Sequence, residues 1–168
     1  MNLSKTTIEP DFYDKIVGGV GLVGLLILIG LPVIHYSTLP DTIPVHFGLS
    51  GKPDGFGSKA LIWTLPIIGA LIFIWMTRLA RQPKPNIPAK VTEENAAHVQ
   101  RIAAKTIRLL ATGIVLIFSL ITHLTIQTAL GKSHGLEPWF IPAFIILIFG
   151  PLAYYFTQLP KRNKSKQA

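Results

Sequence analysis

The chain is predicted to be an all-α membrane protein. It has four transmembrane helices, both termini on the cytoplasmic side, and a short folded outer loop between spans one and two. Three observations predict this. First, the 168 residues are 49% hydrophobic and only 14% charged, against roughly 25% charged in an ordinary soluble domain. Second, four segments are long and apolar enough to cross a hydrocarbon core of about 30 Å as helices. Third, 13 of the 16 Lys and Arg residues fall on one side of the topology those spans create.

The spans are Ile16–Tyr36, Ala60–Thr77, Leu109–Leu130 and Pro138–Leu159, and none contains Asp, Glu, Lys or Arg. The first is not read as a cleavable signal peptide. It exceeds the ~7–15 apolar residues of such a region, and it leaves into His35-Tyr36-Ser37-Thr38 rather than a small-residue cleavage site. Gly18, Gly21 and Gly24 recur every three residues on it. Small residues let membrane helices approach closely, so this face packs within the bundle or forms a seam with a second copy. Pro32, Pro66, Pro142 and Pro151 each remove a backbone donor and should kink or start helices.

Lys5 and Lys15 precede span one. Seven basic residues lie between spans two and three, and four follow span four. Only Lys52, Lys59 and Lys132 occupy the other two connections. By the positive-inside rule both termini and residues 81–108 are cytoplasmic, and loop 37–59 and the turn at 131–137 face outward. The net charge of +8 is thereby explained by topology and anionic headgroups, and no nucleic-acid partner is expected. Tyr36, Trp63 and Trp139 fall at the outer ends, and Tyr13, Trp75, Tyr154 and Tyr155 at the inner ends, as two interfacial belts.

Between spans two and three, Gln82–Pro88 reads as extended linker, and Thr92-Glu93-Glu94 as a cap with acids in the first turn. A stalk from Glu93 to Ile107 would then enter the bilayer. Arg101, Lys105 and Arg108 lie on one face of it, as headgroup contacts or a docking site for a cytoplasmic partner. On span three, Ser119, Thr122, His123 and Gln127 share a polar face expected to look into the bundle. His123 is the one ionisable residue within the body of a span, which makes it a candidate cavity-lining or pH-sensitive group.

The outer loop runs Leu39-Pro40-Asp41-Thr42-Ile43-Pro44-Val45-His46-Phe47 and then turns. Ile43, Val45 and Phe47 alternate with Thr42, Pro44 and His46, the period of a short strand. Lys52-Pro53-Asp54-Gly55 carries a type I turn signature. Ile43, Phe47 and Phe56 are expected to anchor the loop, and Ser58 to cap the next helix. Pro40, Asp41, Pro44, His46, Phe47, Asp54 and Lys59 are the candidate partner-binding residues. No spacing motif turns His35, Asp41, His46, Asp54 and His134 into a metal site. There is no cysteine, no H-E-x-x-H, no phosphate-binding loop and no nucleophile elbow. No cofactor, no metal and no enzymatic activity are expected.

The run Leu39–Lys59 resembles the signature of a bacterial domain of unknown function, number 1648, in which a Leu-Pro, Ile-Pro, His-aromatic, Gly, Asp, aromatic and Ser-Lys series lies between two spans. Leu39, Pro40, Ile43, Pro44, His46, Phe47, Gly51, Asp54, Phe56, Ser58 and Lys59 match it. Gly48 stands where many relatives carry Asn. The same domain opens the Sdp-type immunity proteins, membrane proteins that protect against a secreted toxin peptide and sequester a cytoplasmic repressor. The resemblance therefore implies a bacterial cell-membrane protein with an immunity- or sensor-like role and an extracellular peptide or envelope partner. The alternatives are a small transporter or channel subunit, motivated by the span-three polar face, and a structural subunit of a membrane complex, motivated by the Gly-rich first span.

Overall fold

The computed structural model describes residues 7–48, 50–82 and 95–159. Helix α1, Phe12–His35, opens on a reciprocal cap. The Asp11 carboxylate accepts the Asp14 N–H at 2.9 Å, and the Asp14 carboxylate accepts the Asp11 N–H at 3.1 Å. Donors otherwise left unpaired at the helix start are thus satisfied. Helix α2, Thr64–Leu79, follows a 3-10 turn, Lys59–Trp63, which the Ser58 hydroxyl caps as expected. With α3, Ala96–Ala129, and α4, Phe140–Gln158, and with α2 taken together with its 3-10 turn as Lys59–Leu79, the described residues hold four apolar helical segments long enough to cross a membrane. The expected cap at Thr92, the linker beyond Gln82 and the tail from Pro160 lie outside the described residues. With 34 residues, α3 is about 51 Å long, longer than a hydrocarbon core of about 30 Å.

Helix α3 is the hub. It packs against α1, α2, α4 and the outer loop, whereas α4 touches chiefly α3 and leaves Ile141, Ile145, Ile146 and Phe149 exposed. Those exposed apolar faces need lipid as solvent. The α1–α3 seam has a regular spacing. Buried residues on α1 are Asp14, Val17, Gly21, Gly24 and Leu28. On α3 they include Arg108, Thr112, Val115, Ser119, Thr122 and Ile126. Both series step by three and four, the repeat of helices packed in a left-handed supercoil. The two helices run parallel. Arg108 meets Asp14, the Thr112 hydroxyl donates to the Val17 carbonyl at 3.0 Å, and the Ser119 hydroxyl donates to the Gly24 carbonyl at 3.0 Å.

The glycines make those rungs possible. A Cβ on Gly21 would sit 2.7 Å from the Thr112 hydroxyl and 2.5 Å from the Phe73 ring, and one on Gly24 would sit 3.0 Å from Leu116. Gly69 on α2 stands equally close, 2.7 Å, to Leu28. Gly18 faces open space, so the every-third-residue stripe divides. Gly21 and Gly24 pack within the bundle, and Gly18 does not.

Between α1 and α2 the chain forms an antiparallel hairpin, β1 Thr42–Phe47 with β2 Pro53–Ser58. The all-α expectation is corrected here: the loop contains a small sheet. Pro53-Asp54-Gly55 is the second strand, not a turn, because Gly55 and Phe47's partner Pro53 pair with β1. The reversal falls earlier, where the Gly51 N–H donates to the Gly48 carbonyl at 2.9 Å and Gly51 takes a φ of 77° that disfavours any side chain. Leu39, Ile43 and Ile62 seat the hairpin on Ile126 of α3, with Tyr36 and Trp63 beside them. Ile43 anchors the loop as expected and Phe47 is half-buried, but Phe56 is 63% exposed and anchors nothing. The turn joining α3 to α4 locks onto the hairpin tip through the Leu136 N–H, which donates to the Gly51 carbonyl at 2.8 Å. At the opposite end of the bundle, the Ile8 N–H donates to the Arg81 carbonyl at 2.8 Å, joining the start of α1 to the end of α2.

Gly21→Val should destabilise the protein by about 1–3 kcal/mol through overpacking, whereas Gly18→Val should leave stability within about 0.5 kcal/mol. Thermal melts of the two variants in the same detergent check the contrast.

Candidate functional site

The hairpin brings four of the seven candidate loop residues into two local constellations. His46 and Asp54 face each other across the strands, with His46 Nδ1 donating to Asp54 Oδ1. Gly48 provides the space for that carboxylate, since a Cβ there would lie 2.8 Å from Asp54 Oδ2. Both partners are solvent-accessible, at 72% and 52% of their side-chain surface, so the pair adds at most about 1 kcal/mol to stability. At the root of the hairpin, Lys59 Nζ lies 3.0 Å from Asp41 and 5.6 Å above the Tyr36 ring. Its N–H donates to the Asp41 carbonyl at 2.9 Å. Pro44 is buried in β1, and Pro40 is exposed ahead of it.

Beneath β1 lies a cavity of about 470 Å³, a size typical of ligand sites, which run from about 300 to 1,000 Å³. Pro44, Val45 and His46 form one wall, Leu61 and Leu65 a second, and Ile121 and Thr122 of α3 a third. The lining is mostly apolar. Thr122 is 1% exposed, and its hydroxyl has no hydrogen-bond partner. Thr106 is the other described residue with an unpartnered buried hydroxyl, and it does not line this cavity. An unpaired buried hydroxyl costs about 1–3 kcal/mol; being fully buried, this one meets an occupant only if the cavity wall shifts.

The span-three polar face does not act as one surface. Ser119 and Thr122 point into the bundle, Gln127 is half-buried, and His123 is exposed. The buried seam advances from Ser119 to Thr122 to Ile126, and that stepping leaves His123 outside it. The expectation that His123 lines the interior is therefore corrected. Ser119 is already committed, donating to the Gly24 and Val115 carbonyls at 3.0 and 2.9 Å.

The basic stripe on the stalk is corrected as well. Arg108 is 8% exposed and lies 2.7 Å from Asp14, which is itself buried. The Nη1–Oδ2 approach is close but poorly aligned for a hydrogen bond, so the pair is held by charge, while Nη2 donates to the Ile8 carbonyl at 3.3 Å. Lys105 sits 2.8 Å from Asp11 and 5.6 Å above the Tyr13 ring. Arg101 alone of the three is exposed. Two of the three cations thus fasten α3 to the start of α1. The hydrogen bond from Lys105, reinforced by the Asp14 N–H, lowers the Asp11 carboxyl from 3.8 to about 2. The readable signal was complementary spacing: Asp11 and Asp14 are three apart, as are Lys105 and Arg108. Among the described residues, no three His, Asp or Glu side chains converge as metal ligands would.

Residues 23–70, which hold most of α1, the hairpin and the start of α2, match the family described as "Domain of unknown function (DUF1648)". Over nearly its whole length the chain is similar to an uncharacterized protein of Archaeoglobus fulgidus. The two are 30% identical over 178 aligned positions, covering 95% of this chain and 93% of the relative. No solved structure matches the chain.

Arg108→Leu should cost about 3–5 kcal/mol by leaving the Asp14 carboxylate buried and unpaired, and Asp14→Leu combined with it should recover much of the loss; melts of the single and double variants measure both effects. Asp11 has a lowered pKa, so its contribution is complete above the ordinary value of 3.8 and fades as pH falls toward 2. Asp11→Asn should therefore lower the melting temperature at pH 6, with the gap to wild type closing as pH is taken down through that window.

Proposed function

The chain belongs to the family marked by this domain of unknown function, and on that premise we propose that it is a non-catalytic, multi-pass membrane receptor of immunity-like type. Its β-hairpin and the cavity beneath would capture an apolar segment of a peptide or envelope protein outside the cell membrane. The observation that carries this reading is the cavity below β1, with the unpartnered Thr122 hydroxyl in its wall. An apolar side chain would fill the space between Val45, Leu61 and Ile121, and a backbone carbonyl or amide would meet Thr122. His46 and Asp54 at the rim offer a polar contact to the same segment and help set its orientation.

The outward placement of the hairpin rests on the charge bias. With 13 of 16 basic residues at the other end of the bundle or in the segments leading from it, the positive-inside rule puts the hairpin outside and both termini in the cytoplasm. A binding role also suits the site chemistry. The His46–Asp54 pair is largely exposed and has no nucleophile hydrogen-bonded to it among the described residues. The transporter alternative draws less support, because Ser119 is committed to the α1 backbone and His123 lies outside the seam.

Photo-crosslinking in native membranes tests the reading. A benzophenone amino acid at Val45 should yield a discrete adduct that Ile121→Trp abolishes by filling the cavity, while the same probe at exposed Phe56 should not yield it. Identical adducts from both positions, or none from Val45, would sink the proposal. Thr122→Val should weaken that adduct yet keep or raise the melting temperature, since it removes a hydroxyl that the protein leaves unpaired.

A further inference from the structure

A second cavity lies at the opposite end of the bundle and is independent of the hairpin. It measures about 620 Å³ and is a wedge between α3 and α4 with Tyr13 of α1 at its edge. Its origin is local backbone chemistry. Pro151 has no N–H, so the Leu147 carbonyl loses its donor within α4. That carbonyl is turned onto α3, where a Cβ on Gly113 would be only 2.6 Å away. The two backbones approach here too closely for any side chain on Gly113. One turn further along α4 the contact is gone: a Cβ on Gly150 would meet nothing within 4 Å. The helices diverge from the Gly113–Leu147 pivot, and the wedge opens between them.

The wedge is chemically two-ended. Leu109, Leu116, Ile146 and Leu147 make its body apolar. Of its polar groups, Thr112 is committed to the Val17 carbonyl, and Tyr13, Lys105 and Tyr154 come from the end of the bundle that holds Arg101 and Arg108. Lys105 carries three donors. One is directed to Asp11 and the Tyr13 ring covers another side of the ammonium, which leaves donor capacity facing the wedge. We propose that this wedge is a specific site for one anionic phospholipid of the surrounding bilayer. An acyl chain lies between α3 and α4, and the phosphate is held by Lys105 with the Tyr13 and Tyr154 hydroxyls. The occupant follows from charge and shape together. A chain-shaped apolar slot ending in a cation and two phenols, on a face turned to lipid, complements a headgroup anion attached to a hydrocarbon tail.

Native mass spectrometry of the full chain released from nanodiscs of equal phosphatidylglycerol and phosphatidylcholine tests the site. The wild-type protein should retain one phosphatidylglycerol in preference to phosphatidylcholine. Gly150→Leu, which grows into open space, should lose that adduct while its helicity and melting temperature are maintained. Ile146→Trp fills the mouth of the wedge from a position 68% exposed, so it is a second filler that leaves packing intact. Lys105→Met should bring the two lipids to parity. Retention of the adduct by both filled variants, equal retention of the two lipids by wild type, or no retained lipid at all would each overturn the assignment.

Discussion

One helix in this protein is surrounded by the others, and it is also the helix that carries most of the polar side chains. In a medium that offers no water, the hydroxyls and charges of α3 must be paired within the bundle. The ladder from α3 to α1 meets that requirement for four of them, Lys105 to Asp11, Arg108 to Asp14, Thr112 to Val17 and Ser119 to Gly24, and leaves Thr106 and Thr122 unpartnered. Apolar packing between lipid-facing helices is weakly directional, because lipid tails are as apolar as leucine. The polar rungs are directional, and they hold α1 and α3 parallel in one register. Gly21 and Gly24 are the corollary on α1, since the hydroxyls reach its carbonyls only where no side chain intervenes.

The two cavities follow from how the remaining elements attach to that pair. At one end the hairpin is seated on Ile126 by Leu39, Ile43 and Ile62, and its tip is tied to the α3–α4 turn through Gly51 and Leu136. Because it is held at root and tip, the strand β1 bridges the C-terminal half of α3 with space beneath it. At the other end α4 is anchored to α3 by a backbone contact at Gly113, and beyond Pro151 it leaves the wedge. Both sites therefore border α3, and the wedge shares Lys105 and Thr112 with the ladder to α1.

Much of this was legible in the residues. The four helices were readable because hydropathy over about 20 residues is a strong signal, and the packing role of Gly21 and Gly24 because small residues at regular spacing mark close helices. The first strand of the hairpin was readable from its alternation. The second was not, because Pro53-Asp54-Gly55 has the local chemistry of a turn and becomes a strand only by pairing with Phe47 and His46. The basic stripe was misread for a similar reason. Its partners Asp11 and Asp14 lie more than 90 residues away in sequence, so Lys105 and Arg108 look unpaired until α1 and α3 are brought together. His123 was placed inward by its helical proximity to Ser119. The observed seam steps through Thr122 to Ile126 instead and passes it by. The cavity beneath β1 was not legible at all, since Leu61, Ile121 and Thr122 come from separate elements.

The register of α1 against α3 is the claim from which both cavities follow, and thiol cross-linking tests it directly. The chain has no cysteine of its own. A Cβ on Gly24 lies 3.3 Å from a Val115 methyl, within the reach that disulfide geometry requires. Gly24→Cys with Val115→Cys should cross-link efficiently under mild oxidation in membranes, and Gly24→Cys with Thr122→Cys, one heptad out of register, should not. Efficient cross-linking of the displaced pair with little of the first would contradict the parallel ladder and with it the placement of both sites.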